Sequence, residues 1–201
     1  MEVLAIIGAI IVIIYTYSLT RKASKEGKKG LELLQNFESK MNSQGFAKRI
    51  VVYDFLSERA KKSVGKMFMH WWTVGLWLDY PKQLIAFRLN RDTWEEITVP
   101  FNKIQSVEVL EDGYAITAGG AIGYGGFAVG GAKTNEISKG LQIRIVTGDI
   151  QTGTKAYFVN LYDPKYGAKL NKADPNYRSI QECARSIADE INNIIRHTMS
   201  Q

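Results

Sequence analysis

The chain has 201 residues with 26 basic and 20 acidic side chains, a formal net charge of +6 and one cysteine. Five of the basic and two of the acidic residues fall in positions 1–30, leaving 21 against 18, or +3, for residues 31–201. That mild balance excludes the basic stripe of a nucleic-acid-binding domain, and the lone Cys183 excludes an internal disulfide and a cysteine-based zinc site, in keeping with a reducing cytoplasm.

The first element is an apolar run. From Val3 to Leu19 there is no charge, and the seventeen residues are almost all aliphatic, Gly or aromatic. As a helix they span about 25 Å, at the short end of what crosses a hydrocarbon core. Glu2 is the only charge ahead of the run, while Arg21, Lys22, Lys25, Lys28 and Lys29 follow it closely. The asymmetry predicts a single-pass anchor over residues 1–20 with the N-terminus outside and the bulk in the cytoplasm at the cell inner membrane. A signal peptide fits poorly, because the start is not basic and no A-x-A cleavage pattern closes the run. Tyr15 and Tyr17 suit the inner aromatic belt, and the five basic residues suit an anionic lipid surface.

Gly27 and Gly30 are expected to loosen the chain below the membrane. Residues 21–47 then read as a basic juxtamembrane segment and an amphipathic helix, with Leu31, Leu34, Phe37 and Met41 at helical spacing over 31–44. Ile50 to Tyr53 is β-branched and aromatic, and from there to Phe158 almost every segment reads as strand or turn. A hairpin runs from Val74 to Leu89, turning at Asp79-Tyr80-Pro81-Lys82. Further strands are expected over Thr93–Val99, from Ile104 to the Glu111-Asp112-Gly113 turn, and over Tyr114–Thr117. Leu141–Val146 alternates strictly, Thr147-Gly148-Asp149 reads as a turn, and Thr154–Leu161 returns. Residues 163–177 form a polar loop. Ile180, Ala184, Ile187, Ile191 and Ile194 draw the apolar stripe of a closing helix.

These elements predict an α+β chain. The N-terminal transmembrane helix precedes a small antiparallel β-barrel or sandwich over residues 48–201, capped by the C-terminal amphipathic helix. The segment ITVPFNKIQSVEVLEDG, a Gly-rich apolar stretch, LQIRIVTGD and the closing helix together resemble a group of bacterial and phage proteins with a pleckstrin-homology-like domain. The resemblance spans about residues 70–195. It implies a pleckstrin-homology-like fold and a non-catalytic, adaptor-like role, and it supplies no site residues.

Seven of the fifteen residues from Ala118 to Ala132 are Gly and none is charged. Gly126 to Gly131, followed by Lys133-Thr134, has the internal spacing of a phosphate loop. Ala132 puts the Lys one residue out of register, however, and no apolar helix pattern follows. Gly123 to Ala128 matches a dinucleotide fingerprint loosely and lacks the βαβ setting. Ile122, Tyr124, Phe127 and Val129 instead give the stretch an apolar character foreign to a solvated linker. Gly125, Gly126, Phe127, Val129, Gly130 and Gly131 are therefore the candidate interaction residues, against a second protein surface or the bilayer.

His70 and His197, without an Asp, Glu or Cys cluster beside them, predict neither a metal site nor a catalytic base. Trp71, Trp72, Trp77 and Trp94 read as core or interface-belt residues, and Cys183 as a small buried side chain. No cofactor and no enzyme activity are expected. The sequence points to a membrane protein whose cytoplasmic β domain binds a protein partner or itself. The alternative is a membrane-perturbing or pore-forming component of a phage, secretion or defence system, using the anchor and residues 118–132.

Overall fold

The computed structural model describes residues 2–62, 74–88, 96–119, 137–149, 153–164 and 169–200; the side chains of 1–9, 23, 26, 30, 114–119 and 149 lie outside the description. The chain opens with one helix, α1, over Glu2–Ser43. The expected break at Gly27 and Gly30 does not occur. Each Gly costs a helix about 1 kcal/mol relative to Ala, but Gly27 is buried and Leu34, Phe37 and Met41 pack against the domain. Three buried apolar side chains, at roughly 1.5–3 kcal/mol each, outweigh two glycines. Segment 31–44 is thus the lower part of one rod. Gly45, at φ 101°, ends it, with the Gly45 and Phe46 N–H groups donating to Asn42 and Met41 carbonyls.

β1 (Lys48–Val51), β2 (Gly75–Asp79), β3 (Leu84–Arg88) and β4 (Glu96–Pro100) form an antiparallel meander in sequence order. Residues 93–95 of the strand expected from Thr93 lie outside the description. The β-branched run from Ile50 stops being strand at Val51. Two short helices follow, α2 (Val52–Phe55) and α3 (Glu58–Lys62). The Val52 N–H donates to the Val74 carbonyl, and the Ser57 hydroxyl accepts from the Ala60 N–H. The first of these bonds is the last in-register rung of the β1–β2 ladder; beyond it residues 53–62 leave the sheet, contrary to the expectation that almost every segment here is strand or turn.

The second sheet has the order β6-β5-β7-β8, from β5 (Ile104–Glu111), β6 (Tyr114–Gly119), β7 (Leu141–Asp149) and β8 (Gly153–Tyr162). Asp112 and Gly113 join β5 to β6 with φ of 55° and 89°, the two left-handed positions of a two-residue hairpin that Asp-Gly favours. The turn expected at Thr147-Gly148-Asp149 is strand instead, since Gly148 pairs with Thr154 and Asp149 with Gly153. A Cβ at Gly148 would meet the end of the exposed Gln105 side chain, which is free to swing aside, so the pairing itself and not a need for glycine defines this position.

The two antiparallel sheets do not close into a barrel. Ile50, Leu76, Leu78, Ile85, Phe87 and Val99 of the first face Val107, Val109, Ile143, Ile145, Val159 and Leu161 of the second across one core. The closing helix α4 (Pro175–Met199) fills the end of that core with Ile180, Cys183, Ala184, Ile187, Ile191 and Ile194. It begins inside the expected loop because Pro175 suits the first helical position and Asp174 caps it, accepting from the Asn176 N–H at 2.8 Å. The first sheet is covered on its other face too. Val51, Trp77 and Ala86 point away from the main core and bury Phe37, Met41 and Phe46. The layers thus run α1, first sheet, second sheet.

Among the described residues no helix is long and apolar enough to cross a membrane. The run read as a span begins at Val3, and its first seven side chains lie outside the description.

Candidate functional site

The surface that the sequence singled out lies on α1. Ile10, Ile11, Val12, Ile13, Ile14, Tyr15, Tyr17 and Leu19 are 49% to 66% exposed, and successive helical positions spread them over the whole circumference. No described part of the domain covers them. Arg21, Lys22, Lys25, Lys28 and Lys29 come next, all exposed. At about 100° per residue these five fall within an arc of roughly 120°, so they form one basic face.

The other face binds the domain. Gly27, Leu31, Leu34, Phe37 and Met41 turn inward, and Phe37 meets Trp77 edge-on with ring centroids 4.6 Å apart. Ion pairs fringe the contact: Arg49 with Glu38 at 2.9 Å, and Lys40 with Glu96 at 2.8 Å. Trp77 is thus a core residue, as expected. Its neighbours on the far side of the strand, Leu76 and Leu78, belong to the main core, so β2 is buried on both faces.

The Glu111-Asp112-Gly113 turn is the centre of a polar network. Asp112 Oδ1 accepts from the Lys139 N–H at 2.6 Å, the Gly140 N–H at 3.2 Å and Ser138 Oγ at 3.2 Å, while Lys172 Nζ approaches Oδ2 at 2.7 Å. Tyr177 donates its hydroxyl to Glu111 Oε1 at 2.6 Å and accepts from Ser138 Oγ at 2.9 Å. The network ties the hairpin, the segment before β7 and the start of α4 together, so this motif serves the fold. Burial disfavours the Asp112 carboxylate, but Lys172, the Lys139 N–H and Ser138 outweigh it and hold its carboxyl below the usual range. A depressed folded pKa gives stability that is present above the unfolded value of about 3.9 and lost as pH falls through the folded value. Asp112→Asn is therefore expected to flatten the acid limb of a stability-versus-pH curve below about pH 4. An unchanged limb in acid titrations followed by tryptophan fluorescence removes Asp112 from this role.

Sequence reasoning missed one convergence. Lys48 on β1, Tyr80 in the β2–β3 turn and Glu190 on α4 meet in a cleft of about 650 Å³, whose wall includes Phe101, Ile194 and His197. Lys48 Nζ lies 2.8 Å from Glu190 Oε2, and the Tyr80 hydroxyl donates to Glu190 Oε1. Burial disfavours the Glu190 charge, yet Lys48 and Tyr80 hold its carboxyl low; the Glu190 hydrogen bond in turn raises Lys48. The three groups satisfy one another, which makes them a latch between α4 and the first sheet. No local signal could reveal it, because the ion pair spans 142 positions.

Burial pushes the Cys183 thiol up, as its place on the inner face of α4 requires. Among the described residues no group of three or more His, Cys, Asp or Glu could hold a metal ion. His70, Trp71, Trp72, Trp94 and the candidate interaction residues Gly125, Gly126, Phe127, Val129, Gly130 and Gly131 lie outside the described residues. Comparison with known protein families, with curated proteins and with solved structures finds no match to this chain.

Proposed function

We propose that the chain is a single-pass membrane protein, N-terminus outside, whose cytoplasmic domain is non-catalytic and binds a protein partner or a second copy at the membrane face. One observation carries the reading: α1 continues unbroken past the domain, and among the described residues nothing covers Ile10 to Leu19 on any side. Side chains of this size gain roughly 1.5–3 kcal/mol each on leaving water. A contiguous patch of that kind marks a membrane or protein contact. A bilayer fits better than a groove, since a groove would cover one face and leave a polar one. The apolar sequence from Val3 to Ala9 extends the run outward, and the basic face below it gives the orientation.

Two antiparallel sheets closed by a C-terminal helix support the pleckstrin-homology-like reading of the domain. The polar groups that meet in it are engaged with one another, which supports a binding role over a catalytic one. The continuous helix would hold the domain at a set height below the bilayer, where confinement raises the effective concentration for weak contacts.

The test is membrane extraction with topology reporters. The full chain is expected to stay with membranes in alkaline carbonate, and a reporter after Gln201 to be active only as a cytoplasmic fusion. Release by carbonate, or periplasmic reporter activity, would overturn the reading.

A further inference from the structure

Beside α1, where the rod first meets the domain, lies a recess of about 150 Å³ lined by Ser24, Gly27, Lys28, Leu31, Tyr53, Lys61 and Lys62. Among its described lining residues three are lysines and none carries a carboxylate; Glu58 and Asp54, whose charges favour the Lys61 ammonium, are not in that lining. Lys61 pairs with Glu58 at 3.0 Å, but Glu58 stands outside the recess, 78% exposed, and Lys61 also lies 5.5 Å from the centroid of the Tyr53 ring. Lys28 and Lys62 are exposed and make no ion pair among the described residues. Like charges gathered round a small hollow repel, and an anion seated between them removes that cost. Ser24 and Tyr53 complete the same wall. Leu31 and the Tyr53 ring make the rest apolar.

Position says which anion is at hand. At about 1.5 Å per residue, Ser24 lies roughly 7 Å and Lys28 roughly 13 Å below Leu19, while the headgroup layer is about 5–7 Å deep on each side. The upper lip of the recess therefore stands at the outer edge of the headgroup layer, with Lys28 about 6 Å beyond it, a gap of the order of one lysine side chain's reach. Lys28 sits at the border between the outward basic face and this recess, whereas Lys22, Lys25 and Lys29 belong to the outward face alone.

We propose that this recess binds the phosphate group of one anionic lipid headgroup, held by Lys28, Lys61 and Lys62. The proposal rests on the membrane-anchor reading. It goes further by naming a single site with its own residues, distinct from diffuse attraction of a basic segment to a charged surface. A lipid seated there would bridge α1 and α3, and so fix the domain's orientation as well as its height.

The test uses the full chain in mild detergent, with phosphatidylglycerol, phosphatidylcholine and inorganic phosphate as probes and native mass spectrometry as the readout. One phosphatidylglycerol per chain is expected to be retained in preference to phosphatidylcholine. Retention should fall about tenfold or more in the Lys28→Gln, Lys62→Gln double variant, from two lost surface-lysine contacts. The Lys22→Gln, Lys25→Gln pair, of equal charge change on the outward face, should lose clearly less, under about threefold, because detergent offers no anionic surface for diffuse attraction and no recess contact is removed. Both pairs are exposed, so circular dichroism is expected to show intact folding. Equal loss in the two pairs, or no lipid preference, overturns the site. Inorganic phosphate that binds with the same lysine dependence and displaces the lipid at equal concentration assigns the recess to free phosphate and overturns the headgroup source. Carbonate extraction of the same variants separates the two readings: chain that stays in the membrane while the lipid result fails leaves the anchor standing, and release of the chain removes both.

Discussion

Replacing Ile191 by Ala is expected to lower the unfolding free energy of the domain by about 2–5 kcal/mol, and Ile187→Ala by a similar amount. Both side chains are buried on the inner face of α4 and sit one helical turn apart in the main core. The loss has two parts: the transfer of the deleted atoms and the cavity left where two sheets and a helix meet. That region is poorly able to collapse, because α4 is pinned at both ends. Asp174 and the Glu111–Tyr177 hydrogen bond hold its start, and the Lys48–Glu190 pair holds its last turns. Denaturant melts of the full chain in detergent, followed by near-ultraviolet circular dichroism, measure the effect. A loss under about 0.5 kcal/mol is what exposed isoleucines would give, and it would mean that α4 covers an interface in place of the core.

The second large effect is expected at the contact between α1 and the first sheet. Trp77→Ala should cost about 3–5 kcal/mol, the usual range for a buried large aromatic. The damage should be directional. Trp77 belongs to the cluster of Phe37, Met41, Phe46, Val51 and Ala86, separate from the main core on the opposite face of the strand. Hydrogen exchange is therefore expected to rise over residues 31–43 while amides of α4 keep their protection. Phe37→Ala should do the same, and the double variant should cost less than the sum, since the two rings touch and each removal already forfeits the shared contact. Strict additivity, or equal exchange gains across α4, would show that α1 is not a separately docked layer. The consequence reaches the membrane. On the proposed anchoring, a rod seated on Trp77 would transmit a fixed geometry from the bilayer to the domain, and a rod released from it would be a tether of the same length with no set orientation.

Some of this was legible from local pattern alone. A helix stripe and a strand alternation are properties of consecutive residues, so the closing helix, the Val74–Leu89 hairpin and the Leu141 strand could be read directly from spacing. The Asp112-Gly113 turn was equally local, because its two left-handed positions suit those residue types. The charge asymmetry around the apolar run is likewise a linear property and needs no fold. Other features were decided only in three dimensions. Gly27 reads as a helix breaker in sequence, yet packing of Leu34, Phe37 and Met41 more than offsets its propensity. Gly148 reads as a turn, yet it pairs with Thr154 within a ladder that carries on to Asp149. Val52 and Tyr53 have strand propensity, but after a last ladder hydrogen bond from the Val52 N–H to Val74 the chain turns into two short helices. The candidate sites divide the same way. The basic run after Leu19 was visible as composition, whereas its separation into an outward face and a recess shared with Lys61 and Lys62 depends on how α1 seats against α3. The Lys48–Tyr80–Glu190 latch was invisible for the same reason. Its members are far apart along the chain, and only the packing of α4 against the first sheet brings opposite charges within hydrogen-bonding distance.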